Sequence, residues 1–137
     1  MTSISFGDAV RRSIQNDPRY PPSAYELVRD ALHASAKKFR AEDAEDQHVS
    51  GQELLEGFRE HVLCEYGPLS LMLLDLWGLH RGDDVGNIVY NLIDTGYFGK
   101  NEGDSIDDFA GGYDFATAFT DPFLPSSIQS GNRARPS

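Results

Sequence analysis

Residues 49–78 read VSGQELLEGFREHVLCEYGPLSLMLLDLWG, and this stretch decides the fold. Ser50 followed three residues later by Glu53 is a capping box: the serine oxygen takes a free amide of the first turn, and the glutamate reaches back to the cap amide. Val49 before the cap and Leu54 after it make a hydrophobic staple. The spacing predicts a helix over Gly51–Tyr66, with Leu55, Phe58, Val62 and Tyr66 on one stripe. Gly67 ends it. Pro68 opens the next helix at the position where its missing amide costs nothing. That helix, Pro68–Trp77, is apolar nearly all round, which predicts the central buried element. Gly78 is its expected C-terminal cap.

Upstream, Phe6, Val10 and Ile14 recur every four residues and predict a helix over about 6–15, ended by Asn16-Asp17-Pro18. Arg19-Tyr20-Pro21-Pro22 is an extended connector. Ser23 with Glu26 reads as a second capping box, and Leu27, Val28, Ala31, Leu32, Ser35 and Phe39 continue a buried face. Lys37, Lys38 and Arg40 fall in the last turn, where cations complement the helix dipole. Residues 41–48, AEDAEDQH, form an acidic linker without a core face. Downstream, Asp83 or Asp84 is expected to cap a helix to about Thr95, with Val85, Ile88, Val89, Leu92 and Ile93 at amphipathic spacing and Gly96 closing it.

From Gly82 to Pro125 the chain holds Asp83, Asp84, Asp94, Glu102, Asp104, Asp107, Asp108, Asp114 and Asp121 against the single base Lys100. That is a net of −8 out of −10 for all 137 residues. Tyr90, Tyr97, Phe98, Phe109, Tyr113, Phe115, Phe119 and Phe123 are interleaved with the acids. Acid alone would mark a solvated tail; acid mixed with large rings marks a segment that docks. Two local structures compete for residues 97–123: short helical turns at Ser105–Phe109 and from an Asp114 cap to Phe119, or a two-stranded wing pairing Tyr97-Phe98 with residues near Phe109. The expected fold is therefore mainly α, a compact bundle of about five helices. Its C-terminal half has a winged-helix-like order, with the acidic-aromatic segment packed on it. Residues 1–123 make one domain, and the Ser-, Pro-, Gly- and Asn-rich tail 124–137 is expected to be disordered in isolation.

Several segments resemble an uncharacterised family of small proteins restricted to planctomycete- and verrucomicrobia-type bacteria. They are Asp17-Pro18-Arg19-Tyr20-Pro21-Pro22 with Ala24-Tyr25, His48 to Leu55, Tyr66-Gly67-Pro68, Trp77-Gly78, Asp84-Val85-Gly86 through Gly96, and Asp104-Ser105 through Phe109 to Tyr113-Asp114-Phe115. The resemblance spans about 16–123. It implies that the acidic-aromatic segment belongs to the domain, and it supplies no activity, cofactor or site residue.

The composition excludes several functions. A charge of −10 and a pI near 4.6 oppose binding to nucleic acid, where Lys and Arg must neutralise phosphates, and to an anionic membrane surface. The longest apolar run, Leu69–Leu79, is about half a membrane span. One cysteine, Cys64, and no basic start followed by an apolar run point to the cytoplasm. His61, Cys64 and Glu65 share a helix face, but a structural zinc wants four ligands, usually in two pairs. The better reading is a buried or half-buried structural thiol beside a surface histidine. The Asp104–Asp108 run fails the EF-hand spacing, since Ile106 falls where a ligand is needed and Phe109 where glycine is. Adjacent acids such as Asp83/Asp84 and Asp107/Asp108 point about 100° apart on a helix. No phosphate loop or nucleophile elbow is present. No catalytic, metal or cofactor site is assigned.

The leading expectation is a non-catalytic interaction module or regulator. Its acidic surface would carry Asp84, Asp94, Asp104, Asp107, Asp108 and Asp114 toward a basic protein partner. Two alternatives compete with it. One is a winged-helix nucleic-acid regulator whose fifth helix exposes Asp84, Asn87, Tyr90, Asn91 and Asp94, a face with no base. The other is a small enzyme using the carboxylates in a deep polar pocket.

Overall fold

Two long helices packed face to face organise the molecule. The computed structural model describes residues 4–43, 48–99 and 105–124. In chain order the helices are α1 (Phe6–Asn16), α2 (Pro22–Phe39), α3 (Gly51–Tyr66), α4 (Ser70–Leu76), α5 (Gly82–Asp94) and the short α6 (Phe115–Ala118). Single 3-10 turns stand at Gly67–Leu69, Ile106–Phe109 and Asp121–Phe123. The fold is mainly α, and there is no strand among the described residues. The wing is therefore corrected to helical turns: Ser105 caps the turn at 106–109, and the Asp114 carboxylate accepts the Thr117 amide at the start of α6.

α2 and α3 make the central contact. Their close approach depends on Gly57, where a Cβ would lie 1.8 Å from Ser35 Oγ and 3.1 Å from Ser35 Cα. The buried Ser35 hydroxyl is satisfied by donating to the Ala31 carbonyl at 2.8 Å. Tyr25, Val28, Leu54, Leu55, Phe58 and Val62 fill the space between these helices and α5, whose Val85, Ile88 and Leu92 are fully buried. Two ion pairs cross the α2–α3 edge, Lys38 to Glu60 and Arg40 to Glu53. Two of the three last-turn cations predicted to serve the α2 dipole, Lys38 and Arg40, thus reach acids on α3.

The Ser50–Glu53 capping box is present, with both hydrogen bonds formed, and Val49 and Leu54 are buried together. The second predicted box is not present. α2 begins at Pro22 with Pro21 at the cap position, so Ser23 already lies inside the first turn. Proline needs no amide partner there and has its φ preset, which moves the start upstream. Of the acidic linker, residues 44–47 lie outside the described residues. So do Asp104 and, but for Leu124, the tail 124–137.

α4 departs most from expectation. It is a seven-residue helix lying against the end of α3, and only Ser70 and Leu74 are buried. The Ser70 hydroxyl shares its proton between the carbonyls of Gly67 (2.6 Å) and Val62 (3.2 Å). Gly78, at φ +80°, turns the chain out of α4, as the cap prediction requires, and lets the Leu79 amide reach back to the Leu74 carbonyl at 2.8 Å.

Candidate interaction surface

The acidic-aromatic segment is seated on glycines. The turn Ile106–Phe109 lies on α3 and α5 where Gly51, Gly82 and Gly86 leave room. A Cβ at Gly86 would sit 2.8 Å from Phe109 Cγ, one at Gly82 2.6 Å from the Phe109 carbonyl oxygen, and one at Gly51 2.9 Å from Asp108 Cβ. Gln52 Nε2 donates to the Asp108 carbonyl at 2.6 Å, and the Tyr113 hydroxyl donates to the Leu55 carbonyl at 2.6 Å. Burial pushes the Tyr113 phenol well above its ordinary pKa. Phe109, Phe115 and Phe119 are buried, and Phe115 and Phe119 pack on Phe58 with ring centroids 5.9 and 6.3 Å away. The segment completes the core with its rings.

The expected acidic residues divide into three groups. Asp94 and Asp107 are exposed. Asp108 and Asp114 are exposed but also cap local turns, accepting from the Ser105 amide at 3.1 Å and the Thr117 amide at 2.9 Å. Asp84 works inside the fold. It is the third residue of α5, not its cap, and its Oδ2 accepts from the amides of His80 (2.8 Å) and Arg81 (3.2 Å). Its Oδ1 accepts from the Tyr20 hydroxyl at 2.6 Å.

This contact belongs to a polar seam that covers Asp84, Asn87 and Asn91 of the α5 face expected to be open, while Asp94 of that face stays exposed. Asn87 donates to the Tyr20 hydroxyl at 3.0 Å; Asn91 donates to Asp17 Oδ2 at 2.9 Å and to the Tyr25 hydroxyl at 3.0 Å. Arg19 closes on Asp17 through Nε and a terminal nitrogen, both at 2.7 Å. The Arg19 hydrogen bonds, with that of Asn91, hold the Asp17 carboxyl far below the usual range. Burial, and then the bond to Asp84, push the Tyr20 phenol up to about 12. Of the α5 positions expected to be exposed, Asp84, Asn87 and Asn91 are engaged by Asp17, Tyr20 and Tyr25.

The Gly67–Leu69 turn and α4 that continues it present a feature that sequence reasoning missed. Leu69 is 55% exposed, Met72 60% and Leu76 74%, and their spacing places them on one face. An all-apolar helix signals burial without saying on how many sides, and nothing in PLSLMLLDLW distinguishes the covered face. Its length was the one available clue, since so short a helix offers little area for neighbours on every side. Cys64 is also exposed, against the buried or half-buried thiol expected.

A cleft of about 390 Å³ lies between residues 80–83 and 110–115. Several of its polar groups are already engaged: the His80 and Arg81 amides by Asp84, the Tyr113 hydroxyl by Leu55, and Asp114 by its helix cap. Among the described residues no three His, Cys, Asp or Glu side chains come together in a way that could hold a metal ion. None of the helices among them is long and apolar enough to cross a membrane. No protein-family model matches this chain, and no curated protein or solved structure does so either.

Proposed function

We propose that this chain is a non-catalytic interaction module or regulator of the bacterial cytoplasm that presents an acidic surface to a basic protein partner. One observation carries the proposal. Phe109, Phe115 and Phe119 are buried in the core, while Asp107, Asp108 and Asp114 of the same segment are exposed. A buried ring anchors each acid to a rigid body, so the charges form a fixed field rather than a solvated tail. Such a field steers an oppositely charged protein and favours its correct orientation. The chain's net charge of −10 supports the same polarity of partner. We also take the chain to belong to the small-protein family that its segments resemble, which assigns it no activity.

Affinity capture from the native cell, read by mass spectrometry at about 50 and about 500 mM salt, tests the proposal. Basic proteins captured at low salt and lost at high salt support it. Capture that is the same at both salts removes the electrostatic claim.

A further inference from the structure

Of the five exposed large apolar side chains among the described residues, three lie within eight positions: Leu69, Met72 and Leu76. They follow the i, i+3, i+7 spacing of one helical face. At the edge of this face Trp77 and Tyr66, both half-buried, meet edge to face with centroids 5.9 Å apart. The patch thus has the composition of an interface centre: leucines and a methionine flanked by two amphipathic rings.

Its charged surroundings are mainly acidic. Asp75 stands on α4 itself between Met72 and Leu76, exposed, with His80 Nδ1 3.1 Å from its Oδ1. Glu65 closes α3 beside Tyr66, and it is exposed. Burial first, and then the charges of Glu65, Asp30 and Glu26, raise the Tyr66 phenol. Arg29 is held by Asp30 and lies over the Phe6 ring, and Arg59 is held by Glu56.

We infer that this face of α4 is the docking site for an amphipathic helix of a partner protein, apolar on the side facing Leu69, Met72 and Leu76 and basic along its flanks. An apolar row at helical spacing accepts a helix laid across it, and the acids at the rim select Lys and Arg on its borders. A second copy of this chain fits poorly. A two-fold contact places like patches together, which would bring Asp75 and Glu65 of two chains of −10 against each other. The inference rests on the acidic-surface proposal for the charge of the partner, but its location is separate.

Trp77 is the only tryptophan of the chain and reports on the patch directly. The probes are three tryptophan-free 18-residue peptides: an amphipathic Leu/Lys helix, the same apolar face on Glu, and a Ser/Lys peptide with no apolar face. The full-length protein is titrated with each at about 50 mM salt. The variants are Met72→Ser/Leu76→Ser and, as a control at the other exposed apolar positions, Ile106→Ser/Phe123→Ser. The Leu/Lys peptide is expected to blue-shift Trp77. Met72→Ser/Leu76→Ser weakens it by about tenfold or more, and the control changes it less than about twofold. Because all four side chains are exposed, thermal unfolding stays near wild type in both variants.

Leu/Lys binding that ignores Met72→Ser/Leu76→Ser, while Ser/Lys still binds in a salt-sensitive way, overturns the docking site and leaves the acidic surface standing. Equal binding of the Leu/Glu peptide, unaffected by salt, overturns the basic occupant of this face. Two further outcomes overturn the partner helix. A dimer in sedimentation that Met72→Ser/Leu76→Ser dissolves assigns the face to a second copy. Quenching of the Met72 methyl signal by a spin label on Ser137→Cys, in a Cys64→Ser background without peptide, assigns it to the chain's own C-terminal segment.

Discussion

The Tyr20 hydroxyl donates to Asp84 Oδ1 at 2.6 Å across 64 residues of chain, while the other oxygen of the same carboxylate holds the amides that open α5. One side chain thus starts a helix and fastens the N-terminal connector to it. Tyr20→Phe removes the donor and leaves a half-buried carboxylate and Asn87 short of a partner. It is expected to lower stability by about 1–3 kcal/mol, the range for a hydrogen bond to a charged group. Asp84→Ala should cost more, since three donors lose one acceptor. Urea unfolding of both variants checks the order; a Tyr20→Phe midpoint equal to wild type would mean the hydroxyl contributes nothing.

The same contact sets an alkaline limit. With the folded Tyr20 phenol pushed up to about 12, and the unfolded one ionising near 10, the unfolded chain releases its proton first. The contribution is complete below about pH 10 and is lost as pH rises toward about 12. Tyr113 and Tyr25, both raised by burial, act in the same direction. Unfolding measured between pH 9 and 11.5 should fall more steeply for wild type than for Tyr20→Phe. Parallel slopes would separate the phenol from the alkaline transition.

Asp17 sets the acid limit with the opposite sign. Its carboxyl is held low, chiefly by hydrogen bonds from Arg19 and also by Asn91, so its contribution is present above about pH 4 and is lost as pH falls below that. Asp17→Asn should be less stable at neutral pH and should lose less stability between about pH 4 and 2.5. Stability curves of the two proteins that stay a constant distance apart would exclude this role.

Gly86 tests the seat of the acidic turn. Alanine there gains about 1 kcal/mol of helix propensity but drives a methyl into the Phe109 ring, a conflict of roughly 1–3 kcal/mol. Gly86→Ala is expected to be destabilised on balance and to make residues 105–124 more sensitive to limited proteolysis. A more stable, equally resistant protein would show that Phe109 is not seated on this glycine.

Cys64 is exposed and should react with a thiol reagent in the native protein without a lag for unfolding. Cys64→Ser should stay within about 0.5 kcal/mol of wild type, as is usual for an exposed position. A thiol that reacts only in denaturant would contradict its exposure.

Periodicity and caps made most of the helical frame legible. Ser50 and Glu53 marked the start of α3, Gly67, Gly78 and Gly96 marked the ends of helices, and the stripes of α1, α2 and α5 were read from spacing. Three things were not legible, each for a physical reason. Ser23 and Glu26 have capping-box spacing, but two prolines can start a helix just upstream of them without any side-chain cap. The all-apolar α4 carried no face to read, so its exposed row could be found only once its neighbours were placed. The polar face of α5 looks solvent-facing in isolation; it is closed by Asp17, Arg19 and Tyr20, partners more than sixty residues away that no local pattern connects to it. Of the candidate site, the inward rings and outward acids were readable because Phe and Asp alternate there, whereas the internal duty of Asp84 was not.

The central claim is that exposed carboxylates on an anchored segment recognise a basic protein. The most direct test is the affinity of a captured partner for wild type and for Asp94→Asn/Asp107→Asn/Asp108→Asn/Asp114→Asn at about 50 mM salt. Asparagine preserves the caps at 108 and 114, so the fold is retained while four charges are lost. The account predicts binding weaker by about tenfold or more, a flatter salt dependence and an unchanged melting temperature. Equal affinity with the same salt dependence would contradict it.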